Sequence, residues 1–315
     1  VHNQTEFFLG LMGKEVAREL HIPCVHTYHT MYQDYLHYVA NGKILKPSDV
    51  KKAVRVYMKH IDGIIAPSDR VLQTMADYGV DRPIRVIPTG VDLTKYQKPA
   101  SSSDRNQLRK SLGYGPDTPL ILSLSRLAYE KNIAEIIEAM PDIIAQCAEA
   151  QLLVVGDGPA KETLERQVRE MNLGDHVQFI GQVDHDQVYR YYHIADVMVS
   201  ASDSETQGLT YDEAVAADLP IVVMRSEYTD SLIDDPAIGF SFQKRADLVA
   251  GVLHYLTVNS SPEDHAKRQK KLHNISAPVF VHRVLQFYRD CIQRKAAAEK
   301  NKRRGLLQFF SHQRD

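Results

Sequence analysis

Short apolar runs alternate with stretches of helical spacing along almost the whole chain. Before residue 100 the runs IPCVHTY, DGIIAPS and IRVIPTG read as strands; after it PLILSLS, AQLLVVG, HVQFIG, DVMVSA and LPIVVM do the same. Their unbroken Val/Ile/Leu character suits strands covered on both faces, as in a parallel sheet. Helical spacing fills the gaps, over Ile133–Cys147, Ala160–Met171 and Asp184–His193 in particular. Strand–helix alternation of this kind predicts a doubly wound α/β architecture. The pattern breaks at KYQKPASSSDRNQLRK, where Pro99 and Ser101–Ser103 read as a linker and Asp104 as a helix cap. The expected division is therefore a first domain over 1–100, a second over 101–277, and a terminal helix over 278–315 that returns to the first domain.

Composition narrows the class. Among 315 residues, 43% are hydrophobic and 25% charged, and the formal net charge is −2. That balance suits a globular protein and argues against a general nucleic-acid binder, whose footprint is basic. Cys24, Cys147 and Cys291 lie far apart and fit no metal spacing, which reads as reduced thiols in a cytoplasmic protein. The chain opens on Val1 with no strand ahead of it, so the first domain is expected to be incomplete.

In α/β sheets ligands bind beyond the carboxyl ends of strands, where helix N-termini favour an anion. In SLSRLAYEKN, Arg126 and Lys131 follow a strand and precede a helix, as a diphosphate site would require; the alternative is plain surface charge. VVGDGP resembles part of a phosphate loop without its lysine, and Asp157 reads as shaping the turn or the site's edge. In ASDSETQGLTYDEA, Gly208 lets backbone approach a ligand, and the N–H groups near Leu209 and Thr210 would face a phosphate. Glu205 would meet sugar hydroxyls and Glu213 the ribose, although an acid in a first helical turn also complements the helix dipole. In HTYHTMYQDY, His26 and His29 flank a strand end, and one of them is expected to face a cleft between the domains. No third ligand stands at metal-site spacing.

SRLAYEKN, VVGDGP, FIGQV and SETQGLTYDEA occur in the order typical of retaining GT4 glycosyltransferases, and Glu205 to Glu213 matches that family's E-x7-E spacing. The chain resembles this family over the second domain and most of the first. The resemblance implies a GT-B fold: two Rossmann-like domains, the C-terminal one holding a nucleotide sugar. It implies that Arg126 and Lys131 bind the diphosphate and that Gly181 and Val183 lie by the base. Glu205, Gln207, Gly208 and Leu209, with Thr210 at the helix start, would surround sugar and phosphate. Glu213 would bind ribose and His29 the donor sugar. No metal or other cofactor is expected, because protein cations and helix ends offset the leaving diphosphate.

HNQTEFFLG, HTYHTMYQDYLHYV and SETQGLTYDEA further resemble bacterial glucosyltransferases of this family that act on diacylglycerol. The expected reaction is retaining transfer of a hexose, glucose foremost, from a UDP-sugar to a lipid acceptor at an anionic membrane, on the inner face of the cell membrane. Alternatives are another glycolipid, polysaccharide or protein acceptor, or a non-catalytic partner protein of the same fold. Two basic stretches bear on the membrane. One carries Lys43, Lys46, Lys51, Lys52, Arg55 and Lys59 beside Ile44, Leu45, Val54, Val56 and Met58; the other carries Lys300, Lys302, Arg303 and Arg304 beside Leu306, Leu307, Phe309 and Phe310. Each reads either as a lipid-facing surface or as a solvated helix. The family's glycine-rich loop after its first strand is not found ahead of Val1, which implies weakened donor binding and poor or absent turnover if the chain begins there.

Overall fold

The computed structural model describes residues 1–33, 36, 46–98, 101–258 and 260–311, without the side chains of 274 and 302–311. Lys43, Ile44, Leu45 and Pro99, and the side chains of Lys302, Arg303, Arg304, Leu306, Leu307, Phe309 and Phe310, lie outside that description. The chain forms two compact units, Val1–Thr89 with Pro278–Asp315, and Gly90–Ala277.

The first unit runs β1 (His2–Asn3), α1 (Phe8–Glu19), β2 (Val25–Thr27), α2 (Pro47–Met58), β3 (Gly63–Ala66), α3 (Asp69–Asp77) and β4 (Ile84–Val86). Its four strands are parallel, in the order β1-β2-β3-β4. The pair His2–Asn3 forms a strand where the periodicity shows none; it is too short to leave a pattern and is set by pairing with Val25 and His26. Helix α2 buries Val50, Val54, Tyr57 and Met58 and leaves Lys51, Lys52, Arg55 and Val56 exposed.

The second unit runs α4 (Thr94–Gln97), α5 (Ser102–Ser111), β5 (Leu120–Leu124), α6 (Ile133–Ile144), β6 (Gln151–Val155), α7 (Lys161–Glu170), β7 (Val177–Gly181), α8 (Tyr189–Ile194), β8 (Val197–Ser200), α9 (Leu209–Ala216), β9 (Ile221–Met224), α10 (Glu227–Leu232), β10 (Gly239–Phe242), α11 (Arg245–Thr257) and α12 (Pro262–Leu272). The strand order is β10-β9-β8-β5-β6-β7, all parallel. From β5 the chain winds outward to β7, then crosses back and winds the other way from β8. The reversal between β5 and β8 is a topological switch point, where the loops leaving both strands open onto one crevice.

The apolar runs divide as the pleat requires. Ile121, Leu152, Val154, Val197, Val199 and Val222 pack on one face with α6, α7 and α11. Leu120, Leu122, Leu153, Val155, Met198, Ile221 and Val223 pack on the other with α8 and α9. Helix α8 is shorter than the expected 184–193, because residues 184–188 form turns in which Gln187 N–H donates to the Asp184 carbonyl. Strand β10 is a further element that the apolar pattern does not show; GFSF alternates a glycine, a surface Phe240 and a serine.

The long helix α13 (Ala277–Ser311) contributes Val284, Phe287 and Cys291 to the first unit's core beside Val25, Ile65 and Ile87. Gly63 makes this packing possible, since a Cβ there would stand 2.5 Å from Cys291 Sγ. No helix among the described residues is long and apolar enough to cross a membrane.

A buried guanidinium ties the second unit together beneath β5 and β8. Arg109, 1% exposed, donates to the carbonyls of Ile194 (2.6 Å), Pro116 (2.8 Å) and Thr118 (2.8 Å) and to Asp196 Oδ2 (2.9 Å). Asp196 Oδ2 also accepts from Leu120 N–H at 2.8 Å. Arg109→Met would leave those acceptors unmet, and a loss of about 3–5 kcal/mol is expected. Urea denaturation followed by far-UV circular dichroism checks this; an unchanged midpoint would show the network to be dispensable.

Candidate functional site

Two loops reach the switch point. After β5 the chain runs through Ser125 and Arg126 into a short 3-10 turn, Tyr129–Lys131, and α6 begins behind Asn132. Asn132 takes the left-handed conformation at φ 48° and donates from Nδ2 to the Ala201 carbonyl, 3.2 Å away, at the exit of β8. Asparagine tolerates that backbone region better than most residues. The two loops are thus joined directly. Lys131 Nζ meets Glu205 Oε1 at 2.6 Å, and the partners are 17% and 20% exposed. Arg126, in the same first loop, is exposed.

The glycine loop after β6 has a supporting place. Gly156 has φ 138°, and a Cβ there would lie 1.9 Å from the Ser125 carbonyl oxygen. Leu127 N–H donates to the Asp157 carbonyl at 3.0 Å, and Ala160 N–H to the Leu127 carbonyl at 2.9 Å. VVGDGP therefore braces the loop that carries Arg126 and Lys131. Asp157 Oδ1 accepts from the next N–H, Gly158, at 2.7 Å, which fits the turn-shaping role. The carbonyl of Gly181, itself at φ 82°, accepts from Gly156 N–H at 2.9 Å, and Val183 is half-buried just beyond β7.

After β8, buried Ser202 and Ser204 bracket the turn to Glu205, and α9 starts behind Gly208 with no side-chain cap. Leu209 N–H donates to the Gln207 carbonyl at 2.9 Å and Tyr211 N–H to the Gly208 carbonyl at 2.8 Å, and the positive end of the helix dipole lies at this start. Leu209 is 39% exposed and Thr210 half-buried at that start. One turn on, Glu213 Oε2 accepts from the buried Tyr192 hydroxyl at 2.8 Å. Gln207 is buried and donates from Nε2 to Asp212 Oδ2 at 3.0 Å, so its amide is turned into the protein.

Asp212 has no part in the sequence reading. It is fully buried, and its other oxygen accepts from the Tyr228 hydroxyl on α10 at 2.8 Å. Burial pushes its carboxyl up from the ordinary 3.8 to about 7, against the bonds from Tyr228 and Gln207 and with Glu213 adding to the rise. Tyr192, Tyr228 and Asn132 are likewise absent from the sequence reading. For the two tyrosines and Asp212 the only local signal is a tyrosine or acid within a helix; for Asn132 it is an asparagine just ahead of one.

His29 belongs to the first unit. Its Nε2–H donates to Gln4 Oε1 at 2.6 Å, while burial and the neighbouring His26 hold its proton affinity below the ordinary histidine value. His26 is wholly buried against Glu6 Oε1 at 2.9 Å. Among the described residues no group of three or more His, Cys, Asp or Glu side chains could hold a metal ion.

Residues 104–272 match the family model "Glycosyl transferases group 1", and residues 1–95 match "Glycosyltransferase Family 4". The chain is 41% identical over 293 residues to the alpha-monoglucosyldiacylglycerol synthase of Streptococcus pneumoniae, covering 93% of this chain and 66% of that protein. It is 34% identical over 271 residues to the enzyme of the same name from Acholeplasma laidlawii, covering 84% and 67%. It thus spans about two thirds of the length of these curated relatives. Among solved structures, HepE of Anabaena in complex with UDP superposes with a TM-score of 0.75 at 19% identity, covering 92% of this chain and 78% of that one. The sucrose-phosphate synthase of Thermosynechococcus elongatus gives 0.76 at 24% identity, covering 92% and 72%. At such identities the likeness is one of fold, the GT-B arrangement of parallel α/β sheets.

The raised carboxyl of Asp212 has a consequence for stability. A carboxyl that titrates higher in the folded chain than in the unfolded one stabilises the fold fully below the unfolded value of 3.8 and loses that contribution as pH rises through about 7. The melting temperature of the parent should therefore fall from pH 6 to pH 8 more steeply than that of Asp212→Asn. Equal slopes in parallel melts would contradict the raised value.

Proposed function

The chain belongs to the GT4 family of GT-B glycosyltransferases, and from that membership we propose that it transfers a hexose, glucose, from a UDP-sugar to diacylglycerol with retention of anomeric configuration. The observation that carries the reading is the meeting of Lys131 and Glu205 at the switch point, beside the uncapped start of α9. The named activity of the two relatives supports the choice of sugar and acceptor.

In this reading Lys131 and Arg126 face the diphosphate, one as a point charge and one as a fork. The Gly208 and Thr210 N–H groups take a phosphate oxygen at the positive end of α9, while that of Leu209 stays on the Gln207 carbonyl. Glu205 accepts from sugar hydroxyls, and Glu213, held by Tyr192, accepts from the ribose. Gly181 and Val183 lie by the base. The acceptor hydroxyl attacks the anomeric carbon on the face from which UDP departs. The new carbon–oxygen bond forms as the bond to the β-phosphate oxygen breaks, and that oxygen takes the hydroxyl proton. Glu205 then needs no covalent role, unlike the nucleophile of a retaining glycosidase. Protein cations and the helix end supply the counter-charge for the leaving group, so no metal is required.

A lipid acceptor places the work at a membrane surface. Lys52, Arg55, Lys59 and Arg82 line a cleft of about 500 Å3 in the first unit, with Val56 on it 64% exposed. We assign this surface to an anionic bilayer on the cytoplasmic side of the cell membrane.

Incubation with UDP-glucose or UDP-galactose and diacylglycerol tests the reaction. Glucosyl diacylglycerol is the expected product, formed equally with and without EDTA. Glu205→Ala should lower turnover at least about a hundredfold while leaving UDP affinity intact, whereas Lys131→Ala should weaken UDP as well. Near-parent rates in both variants would refute the site. For the membrane, flotation with vesicles containing phosphatidylglycerol should fall several-fold in Lys52→Glu/Arg55→Glu/Lys59→Glu and in high salt. Equal recovery on neutral phosphatidylcholine vesicles would count against an anionic surface.

A further inference from the structure

A fully buried carboxyl such as that of Asp212 needs a reason. Taking a carboxylate out of water is costly, and an apolar residue of similar volume is often as stable or more so. Asp212 therefore adds little that leucine could not, if stability were its only role. Its geometry points elsewhere. One oxygen holds Gln207 on the loop that leads into α9, and the other holds Tyr228 on α10. The Tyr228 ring lies stacked on Tyr211, with centroids 6.5 Å apart, and the Tyr211 hydroxyl donates to Ser200 Oγ at the end of β8, at 3.0 Å. The Tyr211 ring also sits directly against Gly208, where a Cβ would come within 2.2 Å of a ring carbon. The turn Gln207–Leu209 is thus fixed from below by a ring and from the side by a carboxylate.

We propose that Asp212 is a positioning residue of the donor site: by accepting from both Gln207 and Tyr228, it holds the turn Gln207–Leu209 so that the first N–H groups of α9 converge on the donor's phosphate. This rests on the reading that the start of α9 receives the nucleotide diphosphate. Removing the two bonds takes away Asp212's hold on Gln207 and on Tyr228 and loosens the turn. The N–H groups then lose the preorganisation that makes an anion site effective.

Calorimetric titration with UDP, beside thermal melts, tests the proposal on the chain itself. Asp212→Asn preserves both contacts, since its carbonyl accepts from Gln207 and its amide donates to the Tyr228 oxygen; it should bind UDP within about threefold of the parent. Asp212→Leu removes both and should bind at least about tenfold more weakly. Tyr228→Phe deletes the hydroxyl that bonds Asp212 and should still weaken UDP about threefold. A folded Asp212→Leu with parent affinity overturns the proposal. So does an Asn variant as weak as the Leu variant, because charge rather than positioning would then be at work. Where Asp212→Leu does not fold, parent affinity in Tyr228→Phe overturns it equally. A parent that fails to bind UDP refutes the functional reading itself, which separates that failure from failure of the positioning role.

Discussion

The second unit depends on one reversal of direction. Because β8 returns to lie beside β5 rather than continuing outward from β7, the loops after β5 and β8 leave the sheet side by side. Lys131 and Glu205, 74 residues apart in the chain, become an ion pair. No local preference could achieve this. The pairing of Ile121 with Val197 and Leu122 with Met198 sets the register, and the pleat sends alternate side chains into two separate cores. A slip of one residue would exchange the cores and part the loops.

Rigidity below the site and freedom above it come from different residues. Asn132 joins the two loops, Gly156 braces the first of them by close approach, and Tyr192 fixes the second acid of the pair. These groups are buried or half-buried and bonded within the unit. Arg126 and Leu209, which the proposed function sets against the donor, are exposed. The division follows from desolvation: a group committed to the scaffold must find its partner inside, while a group meant for a ligand has to stay within reach of solvent.

Much of the fold is legible in the sequence because strands covered on both faces write themselves as unbroken Val/Ile/Leu runs. The loops that carry Arg126, Lys131, Glu205 and Glu213 are legible for a related reason, since charge after such a run marks a strand's carboxyl end. What escapes is whatever tertiary pairing decides. His2–Asn3 and Gly239–Phe242 are strands only by virtue of their neighbours. VVGDGP looks like a phosphate loop because glycines that brace another loop and glycines that admit a ligand are the same residue type. In the sequence nothing distinguishes Asp212 from Glu213 beside it, and only burial against Tyr228 and Gln207 sets the two apart. Adjacent positions on a helix face about 100° apart, so one acid of the pair turns inward while its neighbour remains half-buried.

The pairing of Lys131 with Glu205 also bears on how a nucleotide sugar would enter. A lysine that is 17% exposed needs a negative partner, and Glu205 supplies it. A diphosphate brings more negative charge than one carboxylate, so on its arrival the ammonium gains a stronger partner without returning to water. In the proposed reading Glu205 then gives up Lys131 as sugar hydroxyls come within reach. The exchange keeps the buried charge compensated in both states. It also explains why the two residues belong together: an apolar substitute for Glu205 would take a negative partner from a lysine that is 17% exposed.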